Sequence, residues 1–174
     1  KSGIVEWKKE LRPGNEVVKL NFISTEDKFG VTKSVFDVSD EIYLKFSFEV
    51  LKKDFQIASI LEFTLLSNPD FALMKTLSEY VDKDWGKQEP FQKGNFLSRC
   101  KIPSNLFGES NLFASLRIFS PPYAANLSEH VKALHVINFT VVDNLKKGTS
   151  RGTYPYELGN SLRPKFNWQT IKGL

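Results

Sequence analysis

The amino-acid sequence predicts an all-β fold, an antiparallel β-sandwich, and three observations support this prediction. Several segments alternate between apolar and polar residues, a period of two that places successive side chains on opposite faces of a strand. Phenylalanine is frequent, with 15 residues against a single methionine, and aromatic and β-branched residues favour strands. Turn-forming residues separate the alternating segments at short intervals, as expected for a sandwich.

The most regular strand is predicted for Ile42–Val50, where every second residue from Ile42 is apolar. A strand of this kind normally lies inside an antiparallel sheet with one face toward the core. The same alternation predicts three further strands in the first half of the chain: Glu16–Ser24, Val31–Phe36 and Gln56–Leu66. We expect Asn68-Pro69-Asp70 to form the turn that follows the last of these strands.

The middle of the chain is less regular. Phe71–Tyr80 has a spacing of apolar residues that fits either a short helix or an edge strand. We prefer the strand, because the neighbouring segments have the β pattern. A further strand is predicted within Phe91–Lys101, with Phe96, Ser98 and Cys100 on one face. This strand ends at Pro103, which has no N–H group to continue a ladder.

Two strands are predicted near the end of the sandwich, at Leu112–Phe119 and His135–Val142, and a long loop joins them. In the first of them, one face is apolar and is expected to face the core: Leu112, Ala114, Leu116 and Ile118. Its other face carries Phe113, Ser115, Arg117 and Phe119. In the second strand, Ile137, Phe139 and Val141 alternate with Val136, Asn138 and Thr140.

Length and composition indicate a single domain and exclude some classes of function. The 174 residues suit one domain with a substantial core. The net charge of +4 comes from 24 basic and 20 acidic side chains that are scattered along the chain, a distribution that argues against nucleic-acid binding. Cys100 is the single cysteine, so an internal disulfide is excluded. We expect this thiol to be buried and inert in a reducing compartment.

The ends of the chain suggest a fragment. The sequence begins without Met and has no signal peptide, and its longest apolar stretches, such as Ile57–Leu66, are far shorter than the ~20 residues that span a bilayer. We therefore expect an excised domain. One domain is expected over residues 1–174, with the core sandwich in 14–143 and a C-terminal edge or exchanged segment in 153–174.

Several of these patterns together resemble one protein family. They are Pro13-Gly14 followed by Glu16–Ile23, Ile42–Val50, Leu61–Asp70, Ile102-Pro103 with Leu106-Phe107 and Leu112–Ile118, and Phe139–Asp143 followed by Gly148, Gly152 and Leu162–Trp168. In these features the chain resembles the C-terminal carbohydrate-binding domain of the Wzt-type ATPase subunit of bacterial O-antigen ABC transporters. The long loop with Pro121-Pro122 and the segment Ser78–Pro90 depart from the pattern.

The resemblance implies a sandwich of immunoglobulin-like or jelly-roll type that acts in the cytoplasm, peripheral at the inner membrane. It implies recognition of the non-reducing end of a lipid-linked O-antigen polysaccharide before export. It also implies a fused N-terminal ATPase domain, a transporter membrane subunit as partner, and a homodimer with exchanged C-terminal strands. No Gly-rich phosphate loop occurs in the sequence itself. The resemblance is to a binding domain, so we expect no enzyme activity and no cofactor.

Sugars are bound by aromatic rings that stack on the apolar face of a pyranose and by planar polar groups that contact its hydroxyls. The non-core faces of the predicted strands offer such a mixture. We expect the carbohydrate-binding residues to be Tyr43, Phe113, Arg117, Phe119 and Asn138, together with Trp85 from the Val81–Pro90 loop. The alternative for the strand residues is a second layer of packing, and for Trp85 a loop anchor.

Other chemistries find little support in the sequence. Asp82 and Asp84 lack the further ligands of a calcium loop, and His130 and His135 have no recognised zinc spacing. A glycosidase needs two carboxylates at a defined separation, which sequence does not provide for Glu49, Glu62, Asp82 and Glu89. The rival functions that stay open are a protein-interaction sandwich, such as an adhesin or assembly module, and a glycoside hydrolase.

The C-terminal segment is aromatic and follows a flexible, basic stretch at Asn144–Gly152. It carries Tyr154, Tyr156, Leu162, Phe166 and Trp168. Left in solvent, these side chains would form an apolar patch. We therefore expect a homodimer in which each C-terminal segment adds to the partner's sheet.

Overall fold

The computed structural model describes residues 3–78, 89–120, 128–159 and 162–170. Within these ranges the chain forms nine strands and one short 3₁₀ turn at Lys9–Leu11. The strands are β1 (Ile4–Glu6), β2 (Val18–Glu26), β3 (Val35–Asp37), β4 (Ile42–Val50), β5 (Ala58–Leu65), β6 (Asn68–Leu77), β7 (Gly94–Ile102), β8 (Ser110–Ser120) and β9 (Ser128–Val142). No helix in these residues is long and apolar enough to cross a bilayer.

The described strands form two sheets. The four-stranded sheet has the order β1-β2-β4-β7, and the five-stranded sheet has the order β3-β9-β8-β5-β6. All neighbouring strands run antiparallel except β3, which is parallel to β9. The predicted antiparallel β-sandwich is therefore confirmed.

The core lies between the two sheets, where the apolar faces of the alternating strands meet. In β4, every second residue from Ile42 to Val50 is buried, and the residues between them are half-buried. In β8, Leu112, Ala114, Leu116 and Ile118 are fully buried. Four rings pack against one another in the core, edge to face or tilted, at centroid separations of 5.6 to 6.4 Å, and they are Phe36, Phe63, Phe107 and Phe139.

Most predicted strands are present, and the departures have physical causes. The ambiguous Phe71–Tyr80 segment is strand as far as Leu77, and its last two residues lie outside the described ranges. The predicted turn at Asn68-Pro69-Asp70 is wrong, since these residues open β6. Strand β6 is the outermost strand of its sheet, where the missing N–H of Pro69 does not disrupt a ladder.

The second departure concerns β9, which begins at Ser128 rather than at the predicted His135. Two irregularities in its pairing with β8 interrupt the alternation. One lies where Ile118 faces Val131 and Phe119 faces Glu129, and the other lies around His135, whose φ of 48° is in the left-handed region. Bulges of this kind insert unpaired residues and hide a period of two. Strand β9 is correspondingly longer than predicted.

Candidate functional site

The predicted site residues do not form one surface. Phe113, Arg117 and Asn138 lie on the outer face of the five-stranded sheet, on the central strands β8 and β9. Tyr43 lies on the outer face of the four-stranded sheet, on β4. Because the two outer faces point away from each other across the core, these residues belong to opposite sides of the sandwich. Trp85, and with it Asp82 and Asp84, lies outside the described residues.

We call the outer face formed by Phe113, Arg117, Glu129, His135 and Asn138 the β8–β9 surface. Phe113 is directly opposite Asn138 in the strand register. The Phe113 ring lies 5.1 Å from the imidazole ring of His135, with 35° between the planes. The surface thus has two neighbouring rings beside a side-chain amide. Rings of this kind stack on the apolar face of a sugar, and an amide hydrogen-bonds its hydroxyls.

The bulge in β9 determines where the His135 ring lies. The backbone N–H of His135 donates to Ser115 Oγ at 2.8 Å, and the ring Nε2 is 3.2 Å from the carbonyl oxygen of Pro69. Since that carbonyl can only accept, Nε2 carries the hydrogen. Sequence reasoning weighed His135 only as a metal ligand and missed this position. The feature that places the His135 ring here is the positive φ of this residue, which the sequence does not reveal.

Arg117 lies four residues from Phe113 along β8, a separation of roughly 13 Å at about 3.3 Å per residue. Its Nη1 lies 3.3 Å from Glu129 Oε2, and about two-fifths of the Arg117 side chain is exposed. An exposed pair of this kind contributes little to stability, about 0–1 kcal/mol. The guanidinium is therefore held in place on the surface without being committed to the fold.

The structure corrects the expectation for Phe119. This residue lies on the same outer face but is only 3% exposed. It packs with Ala58, and partly buried Ile60 and Leu77 surround this pair in a small cluster apart from the main core. Of the two alternatives weighed for the strand residues, packing accounts for Phe119.

Tyr43 on the other sheet is part of a charged cluster. The guanidinium carbon of Arg99 lies 3.7 Å from the centre of the Tyr43 ring, and the Tyr43 hydroxyl donates to Glu41 Oε2 at 3.1 Å. Lys101 forms an ion pair with the same carboxylate. The hydrogen bond from Lys101 lowers the pKa of Glu41. Arg99 covers one face of the ring, so at most the other face is available to a ligand.

The other titratable residues considered from the sequence, His130 and Cys100, lie in buried or half-buried positions within the fold. His130 is buried, its Nδ1 lies 3.1 Å from Asn15 Nδ2, and its Nε2 lies 2.8 Å from Ser120 Oγ. Burial lowers the pKa of this imidazole. Cys100 is half-buried rather than buried, and burial raises the pKa of its thiol. Among the residues that the structure describes, no three His, Cys, Asp or Glu side chains form a metal-binding group.

Among the described residues of the C-terminal segment, Leu162 and Arg163 attach it to the sandwich, and most of the others are exposed. Leu162 forms a bridge with Phe107, and the backbone N–H of Arg163 donates to the carbonyl of Leu106 at 2.8 Å. Beyond this attachment, Phe166 is 70% exposed and Trp168 is 90% exposed. The described aromatic side chains of the segment are therefore largely exposed on their own chain.

Comparison with known proteins supports the fold. The chain is similar to the solved crystal structure of the C-terminal domain of wzt, with a TM-score of 0.71 over 98% of this chain and 93% of that one. The identity is only 11%. No protein-family model matches the chain, and no curated protein matches it. The chain is thus an all-β sandwich with the fold of the wzt C-terminal domain, and the resemblance stated from the sequence is confirmed at that level.

Proposed function

We propose that this chain is a non-catalytic glycan-binding domain and that the β8–β9 surface holds the glycan. The observation that carries the proposal is the pairing of the Phe113 and His135 rings beside Asn138 on the outer face of a sandwich with the wzt C-terminal fold. A pyranose stacks its apolar face on Phe113, and Asn138 supplies both a donor and an acceptor to the hydroxyls.

The length of the β8–β9 surface favours an extended ligand. The strip from Phe113 to Arg117 spans roughly 13 Å, more than one sugar ring covers. Arg117, held beside Glu129, presents N–H donors at the far end. A polysaccharide chain lying along β8 would contact the rings at one end and the guanidinium at the other.

The family resemblance in the sequence supplies the biological context of the proposal. The glycan is the O-antigen polysaccharide of an ABC export system, and the feature recognised is its non-reducing end. The domain works with an ATPase domain in the same polypeptide and with the membrane subunit of the transporter, on the cytoplasmic side of the inner membrane. Capped and uncapped forms of the polysaccharide distinguish terminal recognition from binding along the chain.

The test is calorimetric titration of the domain with the O-polysaccharide of the strain that encodes it, together with analysis for hydrolysis products. We expect binding without hydrolysis, and weaker binding for Phe113→Ala and Arg117→Ala. Lys52→Ala is the matched control, because it removes another exposed ion pair, the one with Glu16. Products of hydrolysis would indicate a glycosidase instead, and absence of binding in the wild-type domain would favour a protein-interaction module.

We also propose a homodimer, in which the C-terminal segment of each chain adds to the partner's sheet. The support is the exposure of Phe166 and Trp168, side chains that a second copy would cover. Exchange costs little because the same contacts form in either arrangement. Deletion of residues 153–174 should give a monomer or an aggregating protein in size-exclusion chromatography with light scattering. A truncated chain that remains a soluble dimer would place the interface elsewhere.

A further inference from the structure

A cavity of about 450 Å³ lies at one corner of the sandwich, between the connection from β2 to β3 and the turn from β3 to β4. We call it the corner cavity. It is lined by Asp27, Lys28, Phe29, Lys33, Ser39, Asp40 and Glu41. Its size falls in the range of small-ligand sites, about 300–1,000 Å³. It shares no residue with the β8–β9 surface and adjoins Tyr43, which donates to Glu41.

An unusual feature of the corner cavity is the ring of Phe29, which is 80% exposed on a tight turn. Asp27 holds this turn in place: its Oδ1 accepts from the backbone N–H of Phe29 at 2.9 Å and from that of Val31 at 3.0 Å. The carbonyl of Asp27 accepts from Gly30 N at 3.0 Å and from Arg99 Nη2 at 3.3 Å. Because these hydrogen bonds hold the backbone of the turn, the Phe29 ring is anchored at the rim of the cavity.

Charged groups of both signs lie around the corner cavity. Lys33 pairs with Asp40 at 3.0 Å, and Glu41 pairs with Lys101. Lys28 lies with its Nζ 5.1 Å from the centre of the Phe29 ring, and Asp27 supplies the remaining carboxylate. The lining holds three carboxylates and two ammonium groups, and Lys101 and Arg99 contact it from outside, so neither sign of charge dominates the site. It offers acceptors and donors side by side, which suits hydroxyl groups that do both.

We infer that the corner cavity is a second sugar-binding site, which takes a neutral pyranose. The apolar face of the sugar stacks on Phe29, and its hydroxyls contact the carboxylates and ammonium groups of the Lys33–Asp40 pair and of Glu41. The inference rests on the proposed glycan-binding function for the class of ligand. A domain with two sugar sites would contact a polysaccharide at two separate points, which increases its apparent affinity.

The experiment is a titration of ¹⁵N-labelled domain with a panel of methyl pyranosides, followed by amide chemical shifts. The panel contains neutral hexosides, a uronate and an amino sugar. We expect a neutral hexoside to shift the amides of Phe29, Gly30, Asp40 and Glu41. Phe29→Ala should weaken this binding roughly two- to tenfold, the range expected for loss of one aromatic contact. The ring is exposed, so this variant will fold.

Val31→Ala is the matched control, because it removes an exposed apolar side chain from the same connection but not from the cavity lining. The control should bind as the wild type does. Shifts confined to the β8–β9 amides would overturn the second site and leave the proposed function in place. Shifts nowhere in the domain would overturn the second site, while the polysaccharide titration tests the proposed function separately. Shifts produced only by the charged sugars would overturn the assignment to a neutral ligand, and a Phe29→Ala variant that binds normally would exclude stacking.

Discussion

Arg163 and Asp143 form a buried ion pair that attaches the C-terminal segment to the sandwich. The Arg163 side chain is 9% exposed and the Asp143 side chain is fully buried, with Nη1 and Oδ2 3.7 Å apart. Within the described part of the chain, the three guanidinium nitrogens of Arg163 have no hydrogen-bond partner, and Asp143 Oδ2 has none either. The pair is therefore held by charge alone, at a separation too long for a hydrogen bond.

Replacing Arg163 by Met removes the cation and leaves the buried carboxylate of Asp143 uncompensated. Breaking a buried pair costs about 3–5 kcal/mol in the free energy of unfolding. The expected cost here is about 3 kcal/mol, at the low end, because the pair lacks hydrogen bonds and the segment can lift away from the sandwich to admit water. The Arg163 side chain lies directly against Gly108, where a β-carbon would be 2.4 Å from Arg163 Nε.

The matched variant combines Arg163→Met with Asp143→Asn. This combination removes both charges, and Asn keeps the side-chain oxygen that accepts from the backbone N–H of Leu145 at 2.9 Å. Apolar or neutral replacement of a whole buried pair is often neutral or stabilising. We expect the double variant to be within about 1 kcal/mol of the wild type.

Urea unfolding at fixed protein concentration measures both variants, and hydrogen exchange at the Arg163 amide reports on the segment itself. The single variant should lose stability and protection, and the double variant should regain both. The reasoning fails if Arg163→Met alone leaves stability unchanged. It also fails if the double variant is as unstable as the single one, because the charge would then not be the cause.

Three further predictions concern the core and two titratable groups. Leu116→Ala should lower the free energy of unfolding by about 2–5 kcal/mol in urea, since Leu116 is fully buried, while Arg117→Ala should leave it nearly unchanged. Burial lowers the pKa of His130 from 6.5, so its contribution to stability is present above pH 6.5 and is lost as pH falls through the lower folded value. His130→Gln should flatten that dependence in thermal melts. Although burial raises the pKa of Asp37, hydrogen bonds from Ser39 and Asn144 lower it from 3.8 to about 2. Its contribution of about 2 kcal/mol to the free energy of unfolding should therefore be present above pH 3.8 and lost as pH falls through 2. In acid titrations, the stability of Asp37→Asn should depend less on pH in this range than that of the wild type.

Strand positions and inner faces were predictable where the alternation is unbroken. The bounds predicted for Ile42–Val50 agree with β4, and the buried face predicted for β8 is the observed one. Prediction failed where backbone irregularity replaces the alternation, at the two bulges of β9. The left-handed φ at His135 occurs where the Ser115 hydroxyl accepts from its N–H, and Ser115 lies 20 residues earlier in the chain.

The sequence by itself determined that this chain is a β-sandwich and which side chains of its regular strands point away from the core. The reason is that the alternation of buried and outward residues is a local property of each strand. Only the tertiary structure decided which outward side chains lie together. Tyr43 and Phe113 have the same local pattern, yet one belongs to the four-stranded sheet and the other to the five-stranded sheet. The sheet that a strand joins depends on pairing between residues far apart in sequence, and alternation within a strand carries no information about that pairing. For the same reason, the corner cavity and the buried Arg163–Asp143 pair exist only once distant segments have come together.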